Sequence, residues 1–533
     1  MKVGGTLCAD AIFFRPLVGV FNMVCELLTV GQMAQADAAT IAAGTPGLVL
    51  MQAAGEAVVR AITQRWSPRD TVVLCGPGNN GGDGFVVATR LRALGWPVRL
   101  ACLAPVDALK GDAALAAQAW LQAGGDTLLL NEVAQVCLDG AQLVVDALFG
   151  AGLTRPLEGD AAEVLLRAHT RGLPIVAVDV PSGVWGDTGE AAGAVQAQLT
   201  VTFFRLKPGH ALMPGRALCG EVVVAGIGIR PEVLAPLNVQ AWDNQPVVWR
   251  DVWPTVDAAG HKYHRGHALI WGGAAMTGAA RLAARACARI GAGLTTVCTP
   301  YRAWPVYASA LECVMVHPLE GEAAASWQVG LEGLLDDDRL SAMLIGPGAM
   351  GGSNASGIRG LVLTMLASGR PVVLDADAIS AFHEDPSLLF AAIKGHSRPV
   401  VLTPHGGEFA RLFKTPEVAG AGSKLACTRA AARLSGAVVL FKGADTVVAS
   451  PDGRAAINRH APANLATAGA GDVLAGMIVG LLAQGMPAWQ AACAAAWLHG
   501  DAAQDFGLGL IADDLPDLIP AALRRLAALP TPR

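Results

Sequence analysis

Short, unbroken apolar runs alternate with longer stretches of helical spacing along most of the chain. The runs Thr71–Cys75, Val98–Leu103, Leu143–Asp146, Ile175–Asp179 and Leu199–Phe204 are short and mostly apolar. Continuous runs of this length predict strands of a parallel sheet covered on both faces by helices. Helical spacing fills Leu27 to Arg65, with a break at Gly44–Gly47, and returns over Phe85–Leu94. Near Ile227–Gly260 the alternation lapses into a stretch holding Pro231, Pro236, Trp242, Pro246, Trp249, Trp253 and Pro254. It resumes with a strand at His267–Trp271 and a helix over Gly278–Ile290. Further strands are expected at Leu294–Cys298, Met343–Gly346, Val372–Asp375, Val400–Thr403 and Val438–Phe441. The pattern predicts an α/β protein of two domains, each a mostly parallel sheet covered by helices. The expected limits are a leader of no assigned role over 1–26, a first domain over 27–238, a linker over 239–260 and a second domain over 261–533. No fixed-period repeat joins the halves.

Composition narrows the partners. The 533 residues are 53% hydrophobic and only 16% charged, which supplies two cores and leaves little for long disordered segments. A net charge of −5, with no basic stripe interleaved with aromatics, argues against nucleic acid. The 11 cysteines are scattered singly, without metal-finger spacing, and read as buried hydrophobes or free thiols in a reducing compartment. Ala11–Val24 is apolar but is interrupted by Arg15, Pro16 and Asn22 and lacks a cleavage site before Glu26, so it does not read as a signal peptide. No other apolar run reaches the roughly 18 residues of a membrane span. A cytoplasmic protein without a membrane partner is expected.

Candidate chemistry gathers at the strand ends, where open parallel sheets bind ligands. In the second half, Ala468–Gly471 is all small residues, so a ligand's oxygens can approach the backbone N–H groups. Val473, Leu474, Met477, Ile478, Leu481 and Leu482 follow at helical spacing, and a glycine-rich turn opening a helix favours anions. Asp472 at that mouth is either a helix cap or a proton acceptor beside a phosphate. In the first half, Gly76–Gly84 lacks the Lys and Ser/Thr of a Walker loop and the glycine spacing of a Rossmann turn. Its amides could still hold a phosphate ahead of the helix at Phe85. Asn80, Asp146 and Ser182 follow successive strands and offer oxygen only, which suits a hard cation or hydroxyls rather than zinc. Singly, such residues make turns and caps; three beside glycine turns favour a site. The tryptophans, including Trp96, Trp120, Trp271 and Trp497, read as packing, His499 as a satisfied helical histidine and Asp336–Asp338 as a solvated run.

An ordered set of motifs also carries a family resemblance. GPGNNGGDG from Gly76, VVDALFGAGL from Val144, VDVPSG from Val178 and TVTFFRLKPG from Thr200 resemble the NAD(P)H-hydrate epimerase domain, over about Leu27–Ile229. HKYHRG from His261, TGAA from Thr277, IGPG from Ile345, LDADA from Leu374, TPHGGE from Thr403, KGADT from Lys442 and ATAGAGD from Ala466 resemble the ADP-dependent NAD(P)H-hydrate dehydratase, of ribokinase-like fold. Together they cover nearly all of the chain, which resembles the fused bacterial NAD(P)H-hydrate repair enzymes.

The resemblance implies a Rossmann-like first domain and a ribokinase-like second. It implies that Asn79, Asn80, Gly81, Gly82 and Asp83 line a hydrated nucleotide, with Gly150, Ala151, Gly152, Leu153, Thr154, Arg155, Pro156 and Asp179 completing the pocket. Asn80, Asp146 and Ser182 would hold potassium. In the second domain Ala279, Gly348, His405 and Asp472 would meet the hydrated dinucleotide, while Lys442, Gly443, Ala444, Asp445, Thr446 and Gly471 contact ADP, which brings magnesium. Asp472 and Asp179 are the expected catalytic residues. The implied activity epimerises the R and S hydrates of NADH and NADPH and dehydrates the S form, converting ADP to AMP and phosphate. A homo-oligomer such as a tetramer is the expected assembly. The alternative is a ribokinase-like vitamin kinase with a non-catalytic binding domain in front. One departure stands out: Gly406 occupies the place where the family often has proline in Pro-His-Pro-Gly-Glu, at a backbone-entropy cost of about 1 kcal/mol.

Overall fold

The computed structural model describes residues 25–133, 136–255, 259–349 and 355–530. Apart from Cys25 and Glu26, the leader expected over 1–26 lies outside them. The first sheet contains β1 (Thr71–Cys75), β2 (Val98–Cys102), β3 (Leu128–Leu129), β4 (Leu143–Ala147), β5 (Ile175–Val178), β6 (Leu199–Phe203) and β7 (Glu221–Ala225). Its order is β3-β2-β1-β4-β5-β6-β7 and every pair is parallel. Alternate residues of one strand serve opposite cores: Val73 and Cys75 of β1 belong to one cluster, Val72 and Leu74 to the other. This is the doubly wound arrangement, with the direction of winding reversing between β1 and β4. A ligand crevice opens at such a switch point.

The second sheet contains β8 (Ala241–Asp243), β9 (His267–Trp271), β10 (Leu294–Pro300), β11 (Met315–Leu319), β12 (Ala342–Ile345), β13 (Val372–Leu374), β14 (Val400–Leu402), β15 (Val438–Phe441), β16 (Thr446–Ala449) and β17 (Ala455–Asn458). The order is β11-β10-β9-β12-β13-β14-β15-β16-β17-β8. The β15–β16 and β16–β17 pairs are antiparallel, because the segments between these strands are too short for the crossover that parallel pairing needs, while β15 stays parallel to β14.

The expected linker over 239–260 is part of the second sheet. β8 pairs parallel with β17, and residues 25–27 lie along it through Leu27 N–H to the Ala241 carbonyl (2.9 Å) and Asp243 N–H to the Cys25 carbonyl (2.7 Å). Trp249, in the same stretch, is fully buried and packs against Trp253 and Trp497. The Pro-Trp composition that reads as a boundary therefore belongs to short turns nailed down by large buried rings.

Two helices position the sites. Helix Asn79–Ala93 begins well before Phe85, where the sequence pattern starts it, so the Asn-Asn-Gly-Gly-Asp run is its first turn rather than a loop. Its glycines serve close packing: a Cβ on Gly81 would lie 1.9 Å from the Gly76 carbonyl oxygen, and one on Gly82 3.0 Å from Ala113 Cα. Helix Ala470–Ala483 is buried nearly all round and lies against helix Thr277–Arg289, where a Cβ on Gly476 would sit 2.1 Å from the Ala283 carbonyl oxygen. Among the described residues no helix is long and apolar enough to cross a membrane.

Candidate active sites

The first site is a cavity of about 600 Å³ over the carboxyl ends of β1, β4, β5 and β6. Asn79, Asn80, Asp83, Gly150, Ala151, Gly152, Leu153 and Asp179 line it, together with Asp37, Asp112, Phe149 and Lys207. Gly81 and Gly82 are buried behind its wall, and Thr154, Arg155 and Pro156 stand exposed beyond the lining. Asp146 is the next-to-last residue of β4 and is 1% exposed. It accepts from the Ser182 hydroxyl (2.6 Å), the Ser182 N–H (2.8 Å) and the Leu148 N–H (3.2 Å). Burial raises its pKa against those hydrogen bonds. Asn80 stands next to Asp179: a Cβ on Gly150 would lie 3.2 Å from both Asn80 Oδ1 and Asp179 Oδ2. Among the described residues the buried Asn80 Nδ2 has no hydrogen-bond partner.

Asp179 follows β5 with a φ of 67°, a left-handed conformation that Asp tolerates better than most residues. Its Oδ1 accepts from Lys207 Nζ (2.6 Å) and the Thr202 hydroxyl (2.9 Å), and its Oδ2 from the Ala151 N–H (3.1 Å). His210 Nδ1 accepts from the Lys207 N–H (2.9 Å), so Nε2 carries the proton and donates to the Asp179 carbonyl (2.8 Å). Burial drives the His210 pKa down to about 4, which keeps the ring neutral. Burial alone would raise the Asp179 carboxyl, but Lys207, His210 and the hydrogen bonds hold it at about 2. A carboxylate held that low is a weak proton acceptor at neutral pH. Its hydrogen bonds tie it to Lys207 and to the loop at Ala151.

The second site lies over the carboxyl ends of β12 to β15. Gly469, with φ 89°, caps helix Ala470–Ala483 and turns the backbone so that Asp472 falls in its first turn. Lys442 Nζ ion-pairs with Asp375 Oδ1 (2.7 Å), and would stand 3.3 Å from a Cβ on Gly471. The Thr403 hydroxyl donates to the same Asp375 oxygen (2.7 Å). Burial works against the Lys442 charge, but Asp375, Glu408 and Asp472 more than offset it and raise its pKa. Asp472 goes the other way: burial, then the Asp375 and Asp377 charges, push it up to about 7 despite Lys442. Gly348 and Ala279 lie against each other, a Cβ on Gly348 coming 3.3 Å from Ala279 Cβ. His405 caps helix Gly406–Leu412: its Nδ1 accepts from the Gly407 N–H (2.9 Å) and its own N–H donates to Glu408 (2.8 Å). With the ring exposed and capping the helix, Gly406 leaves that box formed.

The KGADT segment divides. Gly443 and Ala444 are exposed, whereas the Thr446 hydroxyl is used within the turn, accepting from the Gly443 N–H (3.1 Å) and donating to its carbonyl (2.9 Å). Asp445 is engaged by Lys424 (2.6 Å) and by the Met213 N–H of the first domain (2.9 Å), and Arg216 donates to the Ala444 carbonyl (2.8 Å). These contacts make Asp445 part of the domain junction. Sequence reasoning gave no role to Asp37, Thr202 or His210. The only trace of Asp37 was a carboxylate one turn from Met33, on the buried face of helix Val30–Ala42.

The doubly wound sheet, the mixed sheet and a strand-end site on each define a two-domain α/β enzyme. The family described as NAD(P)H-hydrate dehydratase matches residues 268–523, and that described as the YjeF-related protein N-terminus matches residues 47–209. The bifunctional NAD(P)H-hydrate repair enzyme Nnr of Moorella thermoacetica is 37% identical over 520 residues, covering 94% of this chain and 97% of that one. Its counterpart in Escherichia coli is 35% identical over 477 residues, covering 87% of each chain. A Bacillus subtilis ADP/ATP-dependent NAD(P)H-hydrate dehydratase, co-crystallised with ATP and Mg2+, is 29% identical, with a TM-score of 0.44, and covers 52% of this chain and 95% of that one. The chain belongs to the family of bifunctional NAD(P)H-hydrate repair enzymes. A vitamin kinase behind a passive binding domain is not favoured, since these repair-enzyme relatives match both domains in one alignment.

Proposed function

We propose that the chain salvages hydrated NADH and NADPH, the first domain interconverting the R and S hydrates and the second dehydrating the S form with ADP. The observation that carries the second half is the placement of Asp472 in the first turn of helix Ala470–Ala483, where Lys442 Nζ would stand 3.3 Å from a Cβ on Gly471 and burial brings the Asp472 pKa to about 7. Hydroxide is a poor leaving group, and phosphorylation improves it. Asp472 accepts the hydroxyl proton as the hydroxyl oxygen takes the terminal phosphoryl group of ADP and AMP departs. The N–H groups of Ala470 and Gly471, with Lys442, stabilise charge on the transferring group. Phosphate then leaves with its C–O electron pair, a proton leaves the neighbouring carbon, and the ring double bond returns. Magnesium carried on the phosphates would neutralise part of their charge there. Among the described residues no group of three or more His, Cys, Asp or Glu is arranged to hold a metal.

In the first domain, Asn80, Asp146 and Ser182 would hold potassium. The fit rests on the buried Asp146 carboxylate, whose described partners are all uncharged. A monovalent cation would supply the missing countercharge and order the Phe149 loop, whose N–H donates to the Ser182 hydroxyl (2.9 Å).

The test is incubation of mixed hydrate epimers with ADP, following the absorbance of reduced coenzyme. Full recovery is expected, with AMP and phosphate formed in equal amounts; a product that keeps the phosphate would overturn the dehydratase reading. Replacing potassium by lithium is expected to slow R-to-S conversion at least tenfold while sparing dehydration of the S hydrate, on the scale of a lost charge-assisted contact of about 1.5–3 kcal/mol. Equal epimerisation in both salts would remove the cation from the site.

A further inference from the structure

The first-domain cavity contains carboxyl groups that the reading above leaves without work. Asp37 sits on helix Val30–Ala42 and lines the cavity together with Asp83, Asp112, Asp179 and Lys207. Met33 lies one turn before it on the buried face, so the helix delivers Asp37 to the cavity rather than to solvent. Asp83 arrives from the first turn of helix Asn79–Ala93. Asp179 is fastened by Lys207, Thr202 and Ala151, whereas Asp37 and Asp83 feel only burial and neighbouring charges among the described residues.

We infer that Asp37 and Asp83 are the proton-transfer pair of the epimerase, Asp37 serving the hydroxyl of the hydrate and Asp83 its ring nitrogen. The inference rests on the epimerase reading and assigns the groups that perform it. In the hydrate the hydroxyl-bearing carbon is bonded to the ring nitrogen. Asp37 takes the hydroxyl proton, a carbonyl forms, and the C–N bond breaks with its electron pair going to nitrogen. Nitrogen takes the proton of Asp83. The freed carbonyl turns about its C–C bond and presents its other face, nitrogen attacks, and the N–H proton returns to Asp83. Asp37 gives its proton back to oxygen. Nothing is oxidised or reduced, and both carboxyls end as they began.

The environments set the two apart in the manner of an acid and a base sharing one site. Burial and the Asp179 charge push Asp37 up to about 6, against the pull of Lys207. Burial, with Asp179 and Asp37 beside it, raises Asp83 well above the ordinary carboxyl range. At neutral pH Asp37 is mostly ionised, while burial favours the protonated form of Asp83, the division of work that the step requires.

The experiment measures R-to-S conversion by the full-length protein, above the uncatalysed rate, for wild type, Asp37→Asn, Asp37→Glu and Asp83→Asn. Dehydration of pure S hydrate by the same chain reports folding. Asp37→Asn and Asp83→Asn are each expected to lose about 100-fold or more in epimerisation and to keep dehydration. Wild-type epimerisation should rise with pH through a midpoint near about 6. Asp37→Glu should keep that limb at reduced rate, and the residual activity of Asp37→Asn should lack it. Wild-type speed in either Asn variant, or an unchanged acid limb in Asp37→Asn, overturns the pair and leaves the epimerase standing. No epimerisation by wild type overturns both. Were Asp37→Asn to lose dehydration too, the acid limb of Asp37→Glu would decide: present for the pair, absent against it.

Discussion

Asp472→Asn is expected to lower dehydration by about 1000-fold, within the range of a lost general base, while ADP binding stays within a few-fold of wild type. The amide keeps the shape and the polar contacts but cannot take a proton. Wild-type dehydration should fall as the pH drops through about 7, where Asp472 becomes protonated. The same shift has a consequence for stability. The folded-state pKa lies above the ordinary value of 3.8, so the folded chain holds this proton more tightly than the unfolded chain does. The stabilisation is therefore complete at low pH and is lost as the pH rises to about 7. Above that, the ionised carboxylate costs the fold on the order of 2 kcal/mol after solvent screening. Asp472→Asn should thus melt later than wild type at alkaline pH without nucleotide, although it is inactive. Undiminished turnover would exclude Asp472 as the base, and an earlier melt would contradict the burial argument.

Lys442→Met should damage stability and nucleotide binding together. Asp375 is 1% exposed and its charge is balanced by the Lys442 ammonium at 2.7 Å. Removing one member of such a pair leaves a buried charge, at a cost of about 3–5 kcal/mol. The Asp472 pKa should rise further, because Lys442 is what opposes burial there, so residual activity moves to higher pH. Denaturant midpoints and ADP titration of Lys442→Met, Asp375→Asn and the double variant separate the effects. The double variant should regain most of the stability, having no unpaired charge, but not the affinity for ADP. If it proves no more stable than Lys442→Met alone, the ion pair is not what holds the floor of the site.

What the residue pattern discloses depends on how local the governing physics is. Strands buried on both faces read clearly: Thr71–Cys75, His267–Trp271 and Val438–Phe441 have the limits expected of them. Helix Asn79–Ala93 began too late in the sequence reading, because glycines that look like loop chemistry there serve close packing against Gly76 and Ala113. The three-residue β8 carries no period, and only its pairing with β17 and residues 25–27 makes it a strand. At the sites, glycine turns beside strand-end carboxylates mark Asp146, Asp179 and Asp472 from the sequence. Asp37 and His210 have no such flag, since what defines them is a neighbour far away along the chain. Asp445 shows the reverse: its motif marks a ligand contact, and the folded chain ties it to Lys424 and the Met213 backbone.

The strip formed by residues 25–27 and 241–243 sets how the molecule can be divided. The first domain leaves and rejoins the second at that strip, like an insertion hung from two adjacent hooks. A dehydratase fragment begun at 239 would carry one hook without its mate, leaving the Ala241 carbonyl without the Leu27 N–H. One begun at 261 would strip β17 bare, opening a sheet edge to strand addition by another chain. Separating the two activities while keeping each soluble is therefore better done by inactivating substitutions than by scissors.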